Sequence, residues 1–97
     1  MTTCSLSTHV LDTSAGRPAA GVTVELRRSG HTVAAAETDG DGRARLAEEL
    51  AAGTYSLVFF PPSPFFTRVE LQIELEEGHY HIPLLVSHYG CASYRGS

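Results

Sequence analysis

The sequence contains no lysine and no tryptophan, and it has only one methionine and two cysteines among its 97 residues. Its seven basic residues are therefore all arginines, and they are scattered along a chain whose formal net charge is −4. Binding to a nucleic-acid backbone needs basic residues that cluster on one surface. The sequence therefore predicts no nucleic-acid partner.

The chain also lacks any apolar run close to the roughly 20 residues that cross a membrane as a helix. Its first residues show neither the basic segment nor the apolar segment of a secretory signal. Cys4 and Cys91 lie far apart, without the spacing of a metal finger or a redox pair. We therefore predict two free thiols, no membrane span and a cytoplasmic location.

The length and the composition fit one globular domain over residues 1–97. Hydrophobic residues make up 42% of the chain and charged residues 19%, which is ordinary for a folded protein. A domain of this size buries only about 60–65% of its unfolded surface, so its own core is modest. Support from a partner subunit is therefore a reasonable expectation.

Apolar residues recur with a period of two, which is typical of β-strands that have one buried and one polar face. Glycine-rich turns, such as the one at 39–42, separate these runs. Seven or eight short strands at this spacing predict an all-β sandwich. The predicted strands are 7–11, 22–26, 32–38, 43–48, 55–60, 69–75, 80–86 and a short one near 92–94.

Residues 60–66 read Phe-Pro-Pro-Ser-Pro-Phe-Phe. Three prolines within four positions cannot donate hydrogen bonds to a strand ladder, so this segment is predicted to connect two strands. We expect the flanking Phe60 and Phe66 to anchor the connector to the core.

Two histidines are predicted to lie on the outer face of one sheet. In strand 80–86 the alternation places His81, Pro83 and Leu85 on the side opposite the core. In strand 7–11 it places Ser7, His9 and Leu11 outward, with Leu6, Thr8 and Val10 toward the core. An outer face that carries proline and leucine on so small a domain predicts that another subunit covers it.

The residue types at these positions allow acid–base chemistry. Histidine exchanges protons near neutral pH, although His9 or His81 taken alone could be an isolated surface residue. Arg43 follows the turn at 39–42 and could either hold a planar, carbonyl-rich ligand or pair with Asp41. His79 and His81 share a strand face without a third ligand, so no metal site is predicted.

Four segments resemble motifs of the transthyretin family and occur in the family's order, over nearly the whole chain. The last of them, Tyr-Arg-Gly-Ser, is typical of the 5-hydroxyisourate hydrolase branch and is absent from the hormone-carrying transthyretins. The segments are Leu-Ser-Thr-His-Val-Leu-Asp at 6–12 with Gly-Arg-Pro-Ala-Ala-Gly-Val from position 16, Thr-Asp-Gly-Asp-Gly-Arg at 38–43, His-Tyr-His-Ile-Pro-Leu-Leu at 79–85, and Tyr-Arg-Gly-Ser at 94–97.

The resemblance implies a transthyretin-like (prealbumin-like) sandwich of two four-stranded sheets. Four such subunits would form a homotetramer, a dimer of dimers around a central channel, with active sites where the dimers meet. The implied reaction is the hydrolysis of 5-hydroxyisourate to 2-oxo-4-hydroxy-4-carboxy-5-ureidoimidazoline, a step of urate breakdown in purine catabolism that needs no metal or organic cofactor.

The resemblance also implies the site residues, while which histidine is the general base stays open. The catalytic positions that it implies are His9, Arg43, His81 and Ser97. The substrate-binding positions that it implies are His9, Arg43, Tyr94, Arg95, Gly96 and Ser97.

The chain departs from the family pattern at three places. The connector between Phe60 and Phe66 is shorter than usual, so the family's short helix is predicted to be missing. His88 stands where the family usually has proline, and Cys91 where it has an aromatic residue. The changes at His88 and Cys91 favour one alternative to the hydrolase, a tetramer that binds a small ligand without turnover. A second alternative is a purely structural domain.

Overall fold

The two-residue alternation of the sequence forms nine β-strands in the computed structural model, which describes residues 3–96. Within this range there is no helix, so the prediction of a sandwich without the family's short helix is confirmed. The strands are β1 (Thr3–Asp12), β2 (Arg17–Pro18), β3 (Thr23–Arg28), β4 (His31–Glu37), β5 (Arg43–Ala51), β6 (Gly53–Phe60), β7 (Val69–Leu75), β8 (Gly78–Val86) and β9 (Cys91–Ser93).

The strands form two sheets that face each other. The second sheet has the four predicted strands, in the order β4-β3-β6-β7, and all of its pairs are antiparallel. The first sheet has five strands, because β1 pairs with β5 along most of its length and with the two-residue strand β2 at its end. On its other side β1 pairs in parallel with β8, which in turn pairs with β9.

The core lies between the two sheets and is built by the inward positions of the strands. In β1 the side chains of Leu6, Thr8 and Val10 are completely buried, as the alternation predicted. Burying a leucine such as Leu6 stabilises the fold by roughly 1.5–3 kcal/mol. Thr8 tolerates burial because its hydroxyl donates a 2.6 Å hydrogen bond to the Ile82 carbonyl oxygen in β8.

The outer face of β8 carries the apolar Pro83 and Leu85, as predicted, but these two residues are less exposed than expected. Within a single chain Pro83 is already buried and Leu85 is half-buried. The large hydrophobic residues that are exposed lie elsewhere in residues 3–96; they are Val33, Phe60, Phe65, Tyr89 and Tyr94.

The proline-rich connector is held differently from the prediction. Phe59, not Phe60, fills the core, and Phe60 is 38% exposed because it is the outward residue at the end of β6. Phe66 is half-buried. The connector is fixed instead by Ser63, whose hydroxyl donates to the His88 carbonyl oxygen (2.8 Å) and accepts the Phe66 N–H.

Both cysteines are free thiols, as predicted, with Cys4 in the core and Cys91 exposed at the start of β9. Residues 3–96 contain no helix long and apolar enough to cross a membrane.

Candidate active site

Three neighbouring strands place the predicted polar residues on one outer sheet face. In the parallel register of β1 and β8, Ser7 lies opposite His81 and Ser5 opposite His79. In the antiparallel register of β1 and β5, His9 lies opposite Arg43. Residues that face each other across a ladder point to the same side of the sheet, so His9, Arg43 and His81 share a face, although they are far apart in sequence.

A row of hydrogen bonds links the histidines of β8 to the serines of β1. The Ser5 hydroxyl lies 2.7 Å from Nδ1 of His79, and the Ser7 hydroxyl lies 3.1 Å from Nε2 of the same ring. The Ser7 hydroxyl also lies 2.9 Å from Nδ1 of His81. Both nitrogens of His79 and one nitrogen of His81 are therefore bonded, and Nε2 is the nitrogen of His81 that remains for chemistry.

The turn at 39–42 fixes the start of β5, and with it Arg43. The Asp39 carboxylate accepts the backbone N–H of Asp41 (2.9 Å) and of Arg43 (3.0 Å). These two bonds, that of Arg43 first, hold the pKa of Asp39 below its ordinary value. Gly42 has φ +76°, and an added Cβ would lie 2.5 Å from the Val10 carbonyl oxygen, so this position requires glycine.

His9 is bonded to the same turn, which determines where its hydrogen sits. Its Nε2 lies 2.8 Å from the Asp41 carbonyl oxygen. A carbonyl only accepts hydrogen bonds, so Nε2 of His9 carries a hydrogen and a neutral His9 has its free lone pair on Nδ1. The free nitrogen of His9 is therefore Nδ1, whereas that of His81 is Nε2.

His81 is the histidine whose charged form is disfavoured. Burial lowers the pKa of His81 below its ordinary value of 6.5, and the nearby His9, Arg43 and His79 lower it further. At neutral pH the ring is therefore uncharged and able to accept a proton. This supports His81 as the general base, which the sequence left open.

An open cavity of about 490 Å³ lies between these side chains. Its volume is within the range of small-molecule sites. It is lined by Ser7, Thr8, Asp39, Arg43, Ala44, Arg45, His79 and His81. His9 lies beside the lining residues, held against the turn.

Arg43 remains available to a ligand. The salt bridges within residues 3–96 join Arg27 to Glu25, Arg45 to Glu48 and Arg68 to Glu70, and none of them involves Arg43. The alternative that Arg43 pairs with Asp41 is therefore not realised. An exposed guanidinium at the edge of a cavity can hold a planar substrate through two parallel hydrogen bonds.

The C-terminal segment returns along β8 and reaches the site at one residue. The Gly96 N–H donates a 2.6 Å hydrogen bond to the His81 carbonyl oxygen. Tyr94 and Arg95 line a second, smaller cavity with residues of β7, and the Arg95 guanidinium lies 4.1 Å from the centre of the Tyr80 ring. Ser97 lies outside the described residues.

Three contributors to this site could not be assigned from the sequence. Ser7 was placed on the outer face, but its role as a bridge between two histidines depends on the register of β1 and β8. His79 was considered only as a metal ligand, and within residues 3–96 no group of three histidine, cysteine or acidic side chains lies close enough to hold a metal ion. The role of Asp39 could have been predicted from the sequence, because an aspartate that opens a glycine-rich turn commonly accepts backbone N–H groups.

The fold and the pocket together define a small β-sandwich protein with a histidine–arginine site on the outer face of one sheet. The model of the HIUase/Transthyretin family matches residues 6–96, and the chain belongs to this family.

Relatives of this chain include proteins named 5-hydroxyisourate hydrolase. The chain is 41% identical to a 5-hydroxyisourate hydrolase of Caulobacter vibrioides, over 95% of this chain and 97% of the relative. It is 42% identical to a 5-hydroxyisourate hydrolase of Deinococcus radiodurans, over 95% of each chain. These alignments extend over 112 and 113 positions, more than the 97 residues of this chain, so they contain gaps opposite residues that this chain lacks.

Solved structures show the same fold. The structure of Klebsiella pneumoniae 5-hydroxyisourate hydrolase superposes with a TM-score of 0.87 at 41% identity and covers 100% of both chains. Sea bream transthyretin in complex with thyroxine superposes with a TM-score of 0.84 at 25% identity, over 94% of this chain and 93% of that one.

Proposed function

We propose that this protein hydrolyses 5-hydroxyisourate to 2-oxo-4-hydroxy-4-carboxy-5-ureidoimidazoline in the breakdown of urate. The observation that carries the proposal is the pocket in which His81, whose pKa is lowered, and Arg43, which has no salt bridge within residues 3–96, line one open cavity. Proteins named for this activity share about 40% of the sequence over nearly their full length.

The reaction needs a base, a group that holds negative charge and no cofactor. In the proposed mechanism Nε2 of His81 removes a proton from water, and the hydroxide that results attacks a ring carbonyl carbon. The carbon–nitrogen bond then breaks, and the ring nitrogen receives a proton. Arg43 orients the planar ring and stabilises the negative charge that develops on the carbonyl oxygen.

His9 and the C-terminal residues complete the proposed site. His9 binds the substrate beside Arg43, and the hydrogen on its Nε2 keeps it fixed to the turn at 39–42. Gly96 contacts His81, and we propose that Ser97 provides its hydroxyl or carboxylate to the substrate or the water. Tyr94 and Arg95 line a different cavity within one chain, so their proposed contact with substrate depends on the assembly of subunits.

We propose that the assembly is a homotetramer, a dimer of dimers that places these sites where dimers meet. The pocket lies on an outer sheet face and opens to one side, and the neighbouring Leu11 and Leu85 are only half-buried in the single chain. A second apolar surface packed on this face would bury them and exclude water from the site. The free Cys4 and Cys91 fit the proposed cytoplasmic location.

The alternative is a tetramer that binds a small ligand without turnover. It is favoured by the similarity to a transthyretin that holds thyroxine, but that similarity is lower, at 25% identity. A binding protein also has no need for a base with a lowered pKa beside an arginine. The hydrolase is therefore the better-supported function.

The test is the decay of freshly generated 5-hydroxyisourate, followed by its ultraviolet absorbance with and without the protein. We expect the protein to accelerate the decay in proportion to its concentration, and a variant with both His81 and Arg43 replaced by alanine to lose this effect. Decay at the spontaneous rate, with ligand bound, would support the binding protein instead. Sedimentation of the same sample should give about four times the subunit mass.

A further inference from the structure

Along the ladder of β1 and β8, the site contains a continuous row of hydrogen bonds that starts at His81. It runs from Nδ1 of His81 to the Ser7 hydroxyl (2.9 Å), from there to Nε2 of His79 (3.1 Å), and from Nδ1 of His79 to the Ser5 hydroxyl (2.7 Å). The row begins at the half-buried His81 and ends at the exposed His79 and the half-buried Ser5.

The number of hydrogens limits how this row is filled. A neutral imidazole donates at one ring nitrogen and accepts at the other, and a serine hydroxyl donates its one hydrogen and accepts at its oxygen. If Ser7 accepted from both rings, its own hydrogen would have no partner in the row. When Ser7 donates its hydrogen within the row, two arrangements remain, and in each of them every bond points the same way.

The two arrangements differ in the free nitrogen of His81. In the first, Nδ1–H of His81 donates to Ser7, Ser7 donates to His79, and His79 donates to Ser5. Nε2 of His81 is then bare and can accept a proton. In the second every donor and acceptor is reversed, and Nε2 of His81 carries the hydrogen.

We propose that Ser7 and His79 form a proton relay for His81, with Ser5 as its outer end. The inference rests on the proposed hydrolysis. When Nε2 of His81 takes the proton of the attacking water, its Nδ1 proton passes to Ser7. The Ser7 proton passes to Nε2 of His79, the Nδ1 proton of His79 passes to Ser5, and Ser5 releases its proton to solvent.

Each group ends with as many protons as it had, and the row is now in the second arrangement. When the carbon–nitrogen bond breaks, His81 gives its Nε2 proton to the ring nitrogen. The row then shifts back and takes one proton from solvent at Ser5. The water has been divided into a hydroxyl on carbon and a hydrogen on nitrogen, and the site is restored.

The surroundings of His81 explain what a relay provides. The titratable and charged groups near this histidine are His9 on β1, Arg43 on β5 and His79 on β8, and Asp39 and Arg45 line the same cavity. Arg43 and burial oppose a positive charge on the ring. A relay lets His81 accept a proton at one nitrogen while it loses one at the other, so no imidazolium ion has to form.

Ser7 and His79 are therefore positioning residues that act through His81, and their test needs a measurement besides the rate. The variants are Ser7→Ala, Ser7→Thr and His79→Gln. Ser56→Ala is the matched control, because Ser56 is a half-buried strand serine of the other sheet. Steady-state kinetics in H₂O and in D₂O give kcat, KM and the solvent isotope effect, and ¹⁵N spectra of labelled histidine give the tautomer of His81.

In the unmodified protein we expect His81 with its hydrogen on Nδ1. Ser7→Ala should lower kcat by roughly 10- to 100-fold with little change in KM, as expected for the loss of an orienting partner, and should shift His81 toward the Nε2–H tautomer. Ser7→Thr keeps the hydroxyl, so it should retain the kcat and the His81 tautomer of the unmodified protein. His79→Gln should lower kcat, because an amide cannot accept a proton at one atom and release another at a second. The solvent isotope effect on kcat should fall to the value expected when a single proton is transferred in the rate-determining step.

An unchanged kcat and tautomer in Ser7→Ala would overturn the relay, as would a loss of rate confined to KM. If the unmodified protein does not hydrolyse 5-hydroxyisourate, the proposed function fails. The tautomer of His81 in Ser7→Ala still tests the hydrogen-bond row in that case, so the two failures are distinguishable.

Discussion

Gly96 packs directly on the His81 ring, because an added Cβ at Gly96 would lie only 2.9 Å from Cδ2 of His81. The Gly96 N–H also donates to the His81 carbonyl oxygen. The C-terminal segment thus limits how the proposed base can turn, and glycine is the residue that permits the approach.

Replacing Gly96 by alanine should therefore displace the His81 ring and lower kcat by roughly tenfold or more, since small errors of position are costly in catalysis. The measurement is kcat together with the thermal midpoint of unfolding. The control is Gly90→Ala, whose Cβ would meet only the Ser87 hydroxyl, at 3.3 Å. Normal turnover in Gly96→Ala would show that the contact does not constrain the ring.

Replacing His9, Arg43 or His81 singly by alanine should lower kcat/KM by roughly 10²–10⁴-fold, the range for a lost general base or charge-stabilising group. The fold should survive because all three side chains lie on an outer sheet face and not in the core. His31→Ala is the control, since His31 is exposed at the start of the edge strand β4. A His81→Ala protein that keeps near-normal turnover would disprove the mechanism while leaving the fold intact.

Loss of the hydrogen bonds that hold the turn at 39–42 should weaken substrate binding. Asp39→Ala removes the acceptor of the Asp41 and Arg43 N–H groups, so Arg43 and His9 lose their common support. We expect a raised KM and a lower thermal midpoint, with Asp39→Asn intermediate because its amide oxygen still accepts. Equal KM values in all three proteins would mean that the turn does not position Arg43.

The pH dependence follows from His81. Its pKa is lowered, so the active uncharged form persists below pH 6.5, and kcat/KM should fall only at more acidic pH. Removing the positive charge of Arg43 should raise the pKa of His81. In Arg43→Ala the acid limb of the residual activity should therefore move to higher pH. A limb that does not move would assign the titration to another group.

The same shift affects stability. The unfolded chain binds a proton at His81 more readily than the folded one, so the contribution of this group to folding stability is lost as pH falls from 6.5 through the folded pKa. Asp39 acts further into acid, because its lowered pKa stabilises the fold above about pH 3.8 and this contribution disappears as the carboxylate is protonated. Unfolding curves at several pH values should show the two ranges separately.

Prolonged dialysis against a chelator should leave the rate of hydrolysis unchanged. The ring nitrogens of His79 are both bonded to serines, and so is Nδ1 of His81, which leaves too few free donors on this face for a tight site. The check is the rate before and after dialysis, with zinc added back. A loss of activity that zinc restores would contradict the expectation.

Much of the fold could be predicted because it follows from alternation. The outward placement of His9 and His81 needed only the two-residue period of β1 and β8. The pairing partners could not be read in this way, because nothing in the local sequence states that Ser7 faces His81 and not Pro83. A shift of one residue would have removed the serine bridges, and the register depends on the packing of the whole sandwich. Similarly, the choice of Phe59 over Phe60 for the core depends on where β6 ends.

The pairing of β1 with β8 joins residues at opposite ends of the chain, since Ser7 and His81 are separated by 74 positions. Closing so large a loop costs the chain entropy before the contact forms, so we expect the pairing of β1 with β8 to form late in folding. On this expectation the pocket is assembled late, since a chain in which β8 is not yet paired contains none of the serine–histidine bonds. In a refolding experiment, recovery of hydrolysis would report completion of the sandwich more strictly than recovery of β-structure does.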